Sequence, residues 1–138
     1  MASMIGSKVE RKEDKKFLTG KGRYTADINL HNQLHAVFIR SPHARAKIKS
    51  IDISKAKKAA GVVDVLTGKD MQDDKIGNLI AGWKIVSKDG TDMKCPAHPP
   101  LAIDSVNYVG DHIALVVAET IQEAKDAADL VKVDYKVL

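Results

Sequence analysis

The sequence predicts an α+β fold, a mixed β-sheet carrying two strand–helix–strand units with the helices packed on one face. Three observations predict it. Val106–Tyr135 reads as strand, helix, strand. Lys47–Leu66 repeats that plan on a smaller scale. The composition, 44% apolar and 29% charged, is that of a chain with a packed core. Residues 1–10 are set aside as a disordered or artificially appended N-terminus, and residues 11–138 are read as a single domain.

Taken in order, residues 1–16 are polar and irregular. Gly20-Lys21-Gly22 then marks a tight turn. A phosphate-binding role is disfavoured: the third glycine of a dinucleotide fingerprint and the Lys-Ser/Thr of a P-loop are both missing. Gln33–Arg40 sets Leu34, Ala36, Phe38 and Arg40 against His35, Val37 and Ile39, the pattern of a mostly buried strand. Pro42 breaks it, because proline lacks an N–H and biases Ser41 away from helix. In Arg45–Ile53, Ala46, Ile48, Ser50 and Asp52 alternate with Lys47, Lys49, Ile51 and Ile53. The two strands are expected to form a hairpin or a bent pair.

Ser54 is placed to cap a short helix over Lys55–Ala60, with Ala56, Ala59 and Ala60 as its apolar face and Gly61 as the residue that ends it. Val62–Leu66 is the next strand. Periodicity then fades between Thr67 and Pro100. Asp70–Asp74 is a polar turn or short helix, Trp83–Val86 a short strand, and Asp89-Gly90 a turn. Cys95–Pro100 cannot be regular structure. So long an irregular stretch inside a compact domain suits an excursion that meets another surface.

Gly110-Asp111 is a turn, and Ile113–Ala118 is a continuous apolar run of the kind found in strands covered on both faces. Thr120 and Glu123 form a capping box. Ile121, Ala124, Ala128 and Val131 make the apolar stripe of the helix, opposite Gln122, Lys125, Asp126 and Asp129. Val131, Val133 and Tyr135 then alternate as a half-buried strand. Were this strand a parallel neighbour of Ile113–Ala118, the crossover would be right-handed.

The net charge of +4 comes from lysines interleaved with acids. Without aromatic interleaving or an arginine-rich face, this reads as a solvated surface rather than a nucleic-acid site. No apolar run approaches the ~18–20 residues of a membrane helix, so no membrane partner is expected. The N-terminus shows no secretory signal, and the lone Cys95 excludes an internal disulfide. Both fit a cytoplasmic protein. The five histidines, His31, His35, His43, His98 and His112, show no metal-ligand spacing. Cys95 and His98 are three residues apart, but no third residue is placed to orient them and no nucleophile elbow surrounds either. No catalytic constellation is visible.

Four segments nevertheless resemble one family in its own order: RKEDKKFLTGKGRYTADINL (Arg11–Leu30), FIRSPHARAKIKSIDISKAKKAAGVVDVLTGKD (Phe38–Asp70), PPLAIDSVNYVGDHIALVVAET (Pro99–Thr120) and AKDAADLVKVDYKVL (Ala124–Leu138). They are similar to the N-terminal α/β-hammerhead domain of the large, molybdenum-binding subunit of xanthine dehydrogenase, aldehyde oxidase and aerobic carbon monoxide dehydrogenase. Ala60 stands where that family usually has proline, His112 where proline often follows Gly-Asp, and Lys136 where glutamate is usual.

The resemblance implies an oxidoreductase whose full subunit hydroxylates its substrate at a molybdenum–molybdopterin centre, in the cytosine dinucleotide form in bacterial relatives. Water supplies the oxygen, and iron–sulfur and flavin partners carry the electrons. The family's cofactor and catalytic glutamate belong to domains that follow this one. No catalytic, cofactor or metal residue is therefore expected here, and the partners implied are those molybdenum-binding domains. An isolated domain of this kind is expected to expose apolar surface and is open to self-association. Cys95, Pro96, His98, Pro99, Pro100 and Leu101 match a segment that lies near the substrate funnel in related enzymes. They are expected either to shape substrate access or to be buried at a domain interface. The rival reading is a free-standing binding or assembly module of the same fold without enzymatic activity.

Overall fold

The computed structural model describes residue 6, residues 11–80 and residues 82–138. Apart from Gly6, the N-terminal stretch set aside over residues 1–10 lies outside the described residues. The chain divides into two compact units, residues 1–33 and residues 34–138.

In the first unit a short helix, α1 (Asp14–Leu18), begins inside the stretch read as irregular. The Phe17 ring stacks on Tyr24, with centroids 5.5 Å apart and planes 4° from parallel. Gly22 is required by that stack: a Cβ there would lie 2.5 Å from the Phe17 ring. The glycine pair thus serves a packing turn.

Among its described residues the second unit holds six strands: β1 (His35–Arg40), β2 (Ala46–Asp52), β3 (Val62–Thr67), β4 (Ser105–Val106), β5 (His112–Ala118) and β6 (Lys132–Val137). Both strand–helix–strand units are present. A 3₁₀ turn at Ala56–Lys58 links β2 to β3, and α3 (Ile121–Asp129) links β5 to β6. The α+β class stands, but each unit divides its two strands between two separate sheets, β1–β5–β3 and β4–β2–β6. Every pairing in the two sheets is antiparallel. β5 and β6 are therefore not parallel neighbours.

The hairpin expected of β1 and β2 does not form, because β1 pairs with β5 and β2 with β6. The physical reason lies at Ser41, only 2% exposed. Its N–H donates to the Asp111 carbonyl and its carbonyl accepts from the Gly110 N–H, both at 2.8 Å. Its hydroxyl lies 2.9 Å from the His43 carbonyl and 3.0 Å from the His43 N–H. The backbone that would close a hairpin is committed to the turn before β5.

A bulge between Ile48 and Ser50 shifts the phase of β2. Ile51 consequently joins Ala46 and Ile48 in one core, although simple alternation puts it on the other face. That core adds Ala102, Val106 and Ile113, with Val133 and Tyr135 packed against it. The second core joins Ala56, Val65, Val116 and Ala127 beneath α3. Burying side chains such as Ile113, Val65 and Val116 contributes about 1.5–3 kcal/mol each.

α3 begins as read: the Thr120 hydroxyl accepts from the Glu123 N–H at 3.2 Å, and the Glu123 carboxylate accepts from the Thr120 N–H at 3.0 Å. Its buried stripe is Ala124 and Ala127, while Ile121, at the first turn, is 45% exposed. β5 is central, but it is covered on one face only. Val116 meets α3, whereas Leu115 and Val117 on the opposite face stay half-exposed. The inner face of β1 is His35, Val37 and Ile39, and Phe38 points outward.

Candidate functional site: a cleft built on the excursion

Between β3 and β4 the chain leaves the sheets. It opens with α2 (Gly68–Asp73), where the Asp70 carboxylate accepts from the Thr67 N–H at 2.7 Å and from its hydroxyl at 2.6 Å. Farther on, residues 85–93 fold back on themselves. The Met93 N–H donates to the Ile85 carbonyl, the Ser87 N–H donates to the Thr91 carbonyl, and Val86 bridges Asp92. The turn falls at Asp89-Gly90, as the sequence predicts, with Gly90 at φ +82° and the Asp89 carboxylate accepting from the Thr91 N–H at 3.0 Å. The strand expected over Trp83–Val86 shrinks to that single bridge.

The Leu79 N–H donates to the His98 carbonyl at 2.8 Å, which pins the two arms of the excursion together. Between them and the turn before β5 lies an open cleft of about 890 Å³. Its walls are Leu79, Ile80, Met93, Pro96 and Ala97. Lys84, Lys94 and Cys95 also line it, with Asn78, Asn107, Asp111, His98 and Tyr108. The Tyr108 hydroxyl lies 3.4 Å from His98 Nε2, and the rings meet edge to face. Desolvation first, then the Asp111 charge beside it, pushes the Tyr108 phenol above its ordinary range. Asp111 is 5% exposed, and its carboxylate accepts from the Asn107 N–H at 3.0 Å.

The structure divides the loop singled out in the sequence. Cys95, Pro96 and His98 are exposed and line the cleft. Pro99 and Pro100 are half-buried, Leu101 is 2% exposed, and none of the three reaches the cleft. The Ala102 N–H then donates to the His112 carbonyl at 2.7 Å, so the second half of the loop anchors the first. Sequence reasoning missed the Leu79–Ile80 wall and Tyr108. The available signals were an apolar pair standing between Gly77 and Gly82, and the Tyr-Val-Gly-Asp run that binds Ser41.

This arrangement packs and hydrogen-bonds. It offers no nucleophile–base–orienter set, and among the described residues no three His, Cys, Asp or Glu converge on a point that could hold a metal. The cleft's polar groups are Asn78, Lys84, Lys94, Cys95, His98, Asn107, Tyr108 and Asp111, and its one thiol, one imidazole and one carboxylate do not converge as a metal-binding set. No helix of the described residues is long and apolar enough to cross a membrane.

Fold and cleft together define a small two-sheet α+β domain whose most irregular segment carries an open cleft. The chain belongs to the aldehyde oxidase and xanthine dehydrogenase a/b hammerhead-domain family, whose model matches residues 19–138. It is 43% identical over 136 residues to the nicotine 6-hydroxylase large subunit of Paenarthrobacter nicotinovorans, covering 97% of this chain and 16% of that subunit. It is 38% identical to the carbon monoxide dehydrogenase large chain of Afipia carboxidovorans, covering 97% of this chain and 15% of that one. Quinoline 2-oxidoreductase from Pseudomonas putida 86 superposes with a TM-score of 0.82 at 38% identity, over 96% of this chain and 16% of its own. The chain thus spans about a sixth of the length of these three relatives.

Proposed function

We propose that this chain serves as a structural, non-catalytic domain of a molybdenum hydroxylase large subunit, and that its Cys95–Leu101 loop shapes substrate access to the catalytic domains of that subunit. The full enzyme would hydroxylate its substrate oxidatively in the cytoplasm, with iron–sulfur and flavin partners taking the electrons. The single observation that carries the access role is the cleft. Cys95, Pro96 and His98 form one side of a concavity within the size range of small-molecule sites, about 300–1,000 Å³. Leu101 is 2% exposed, and the Ala102 N–H bonded to the His112 carbonyl ties the end of that side to β5.

The test uses a full-length relative, such as the nicotine 6-hydroxylase large subunit, with its matched segment replaced by this chain. Replacing Cys95–Pro100 by a glycine linker in that chimera is expected to shift the ratio of kcat/KM between a small and a bulky substrate. An assembled chimera whose selectivity ratio does not move would refute the access role.

A further inference from the structure

We propose that Asp111 gives the cleft a cation site, so that the substrates it admits carry a single protonated or quaternary nitrogen on an apolar body. The inference rests on the access role proposed above and names the chemical class admitted.

The observation that carries it is a buried charge without a counter-charge. Asp111 is 5% exposed and lines the cleft. The side-chain ion pairs among the described residues are Lys49–Asp134 and Lys57–Asp64, and neither includes it. Arg40, beside the same turn, is committed elsewhere. Its guanidinium donates to the Gly110 carbonyl at 3.2 Å and stands 5.9 Å from the Phe38 ring centroid. Asp111 Oδ2 accepts from the Asn107 N–H at 3.0 Å. Oδ1 accepts no hydrogen bond from a described residue, yet no buried side-chain oxygen among the described residues lacks a partner. Oδ1 therefore touches solvent, and the cleft is the solvent that Asp111 reaches. A carboxylate mostly removed from water, with one backbone N–H on one oxygen, is stabilised when a cation meets the other.

Tyr108 completes the site. It lines the same cleft and is 45% exposed, and aromatic rings attract organic cations. Its raised phenol stays protonated and adds no second anion. The apolar body of the ligand meets Leu79, Ile80 and Met93. Lys84 and Lys94 also line the cleft, and both are exposed. Water screens their charges, whereas the same separation counts about fourfold more beside a desolvated carboxylate. Their repulsion limits the ligand to one charge, so a polyamine is disfavoured.

An amide-shift NMR titration of this chain with three matched probes, benzylammonium, benzyl alcohol and phenylacetate, tests the inference. Benzylammonium is expected to shift the amides of Asn107–Asp111 and to bind about tenfold more tightly than benzyl alcohol. Asp111→Asn keeps an acceptor for the Asn107 N–H and is expected to abolish that preference. Tyr108→Leu keeps the carboxylate and is expected to lower benzylammonium affinity about threefold, which gives a second reading if Asp111→Asn does not fold. Equal affinity for benzylammonium and benzyl alcohol would overturn the inference. A preference for phenylacetate would do the same, because it assigns the cleft to Lys84 and Lys94. Unmoved cleft amides with all three probes would also refute it. The access role is decided separately, by the selectivity ratio of the chimera described above, so either reading can fail while the other stands.

Discussion

Gly61→Ala tests how the two helical segments are locked over one sheet. Gly61 lies at φ +71°, and a Cβ there would run into the Glu123 carboxylate. A side chain in left-handed backbone costs roughly 1–2 kcal/mol. The displaced carboxylate also gives up its bonds to the Thr120 N–H and hydroxyl, 3.0 and 2.8 Å long. Loss of a helix cap costs ~1 kcal/mol. The single variant should therefore lose about 2–3 kcal/mol. Glu123→Ala alone gives up only the cap, ~1 kcal/mol. The double variant has no carboxylate to displace, so only the backbone cost is added to the missing cap. Its loss should also be about 2–3 kcal/mol, short of the 3–4 kcal/mol sum of the singles by a coupling of about 1 kcal/mol. Urea unfolding of the four proteins, followed by far-ultraviolet circular dichroism, measures the cycle. Losses that add to within ~0.3 kcal/mol would refute the claim that Gly61 is glycine because of Glu123.

Two further outcomes are expected. Ile113, fully buried, bridges the end of β5 to the core of the other sheet. Ile113→Ala should lower stability by about 2–5 kcal/mol in the same urea experiment, and a loss below ~1 kcal/mol would show that the site collapses freely. The Thr67 hydroxyl, and then its N–H, hold the Asp70 carboxyl below the ordinary value of 3.8 despite partial burial. A folded-state pKa below the unfolded one means that the contribution is complete above 3.8 and disappears as pH falls through the folded value. Asp70→Asn should therefore flatten the loss of stability below about pH 5, as measured by denaturant midpoints across an acid series. An unchanged acid slope would place the shift elsewhere.

The features legible in the sequence are those fixed by neighbours along the chain. Thr120 and Glu123 are three residues apart, the Asp89-Gly90 turn is local, and β5 announces itself by an unbroken apolar run. Sheet membership depends instead on contacts between distant residues. Phe38 pairs with Leu115, and Ile48 with Tyr135. No periodicity within either strand encodes those partners. The β2 bulge hides in the same way, because one inserted residue changes the face of Ile51 without changing composition. Cys95, Pro96 and His98 could be singled out because prolines exclude regular structure there. Tyr108 is legible only as part of the Tyr-Val-Gly-Asp run, since its place beside His98 depends on how the turn at Gly110 is held.

That turn joins the fold to the cleft. Ser41 ends β1 and is bonded through its backbone to Gly110 and Asp111, while the Arg40 guanidinium donates to the Gly110 carbonyl at 3.2 Å. Asp111 in turn receives the Asn107 N–H, and its own N–H donates to the Tyr108 carbonyl at 3.2 Å. The residues that keep β1 and β2 in different sheets thus also set the position of the Tyr108 ring against His98. The Arg-Ser and Tyr-Val-Gly-Asp runs that carry the family resemblance are the two halves of this junction, which accounts physically for their pairing in one sequence. A domain built this way can vary the exposed part of its excursion, and with it the cleft, while its anchored end stays packed. Before Pro99 the excursion touches the junction at the Tyr108 wall and is tied by its own hydrogen bonds, such as Leu79 to His98 and Met93 to Ile85, while Leu101 and Ala102 anchor its end beside β5.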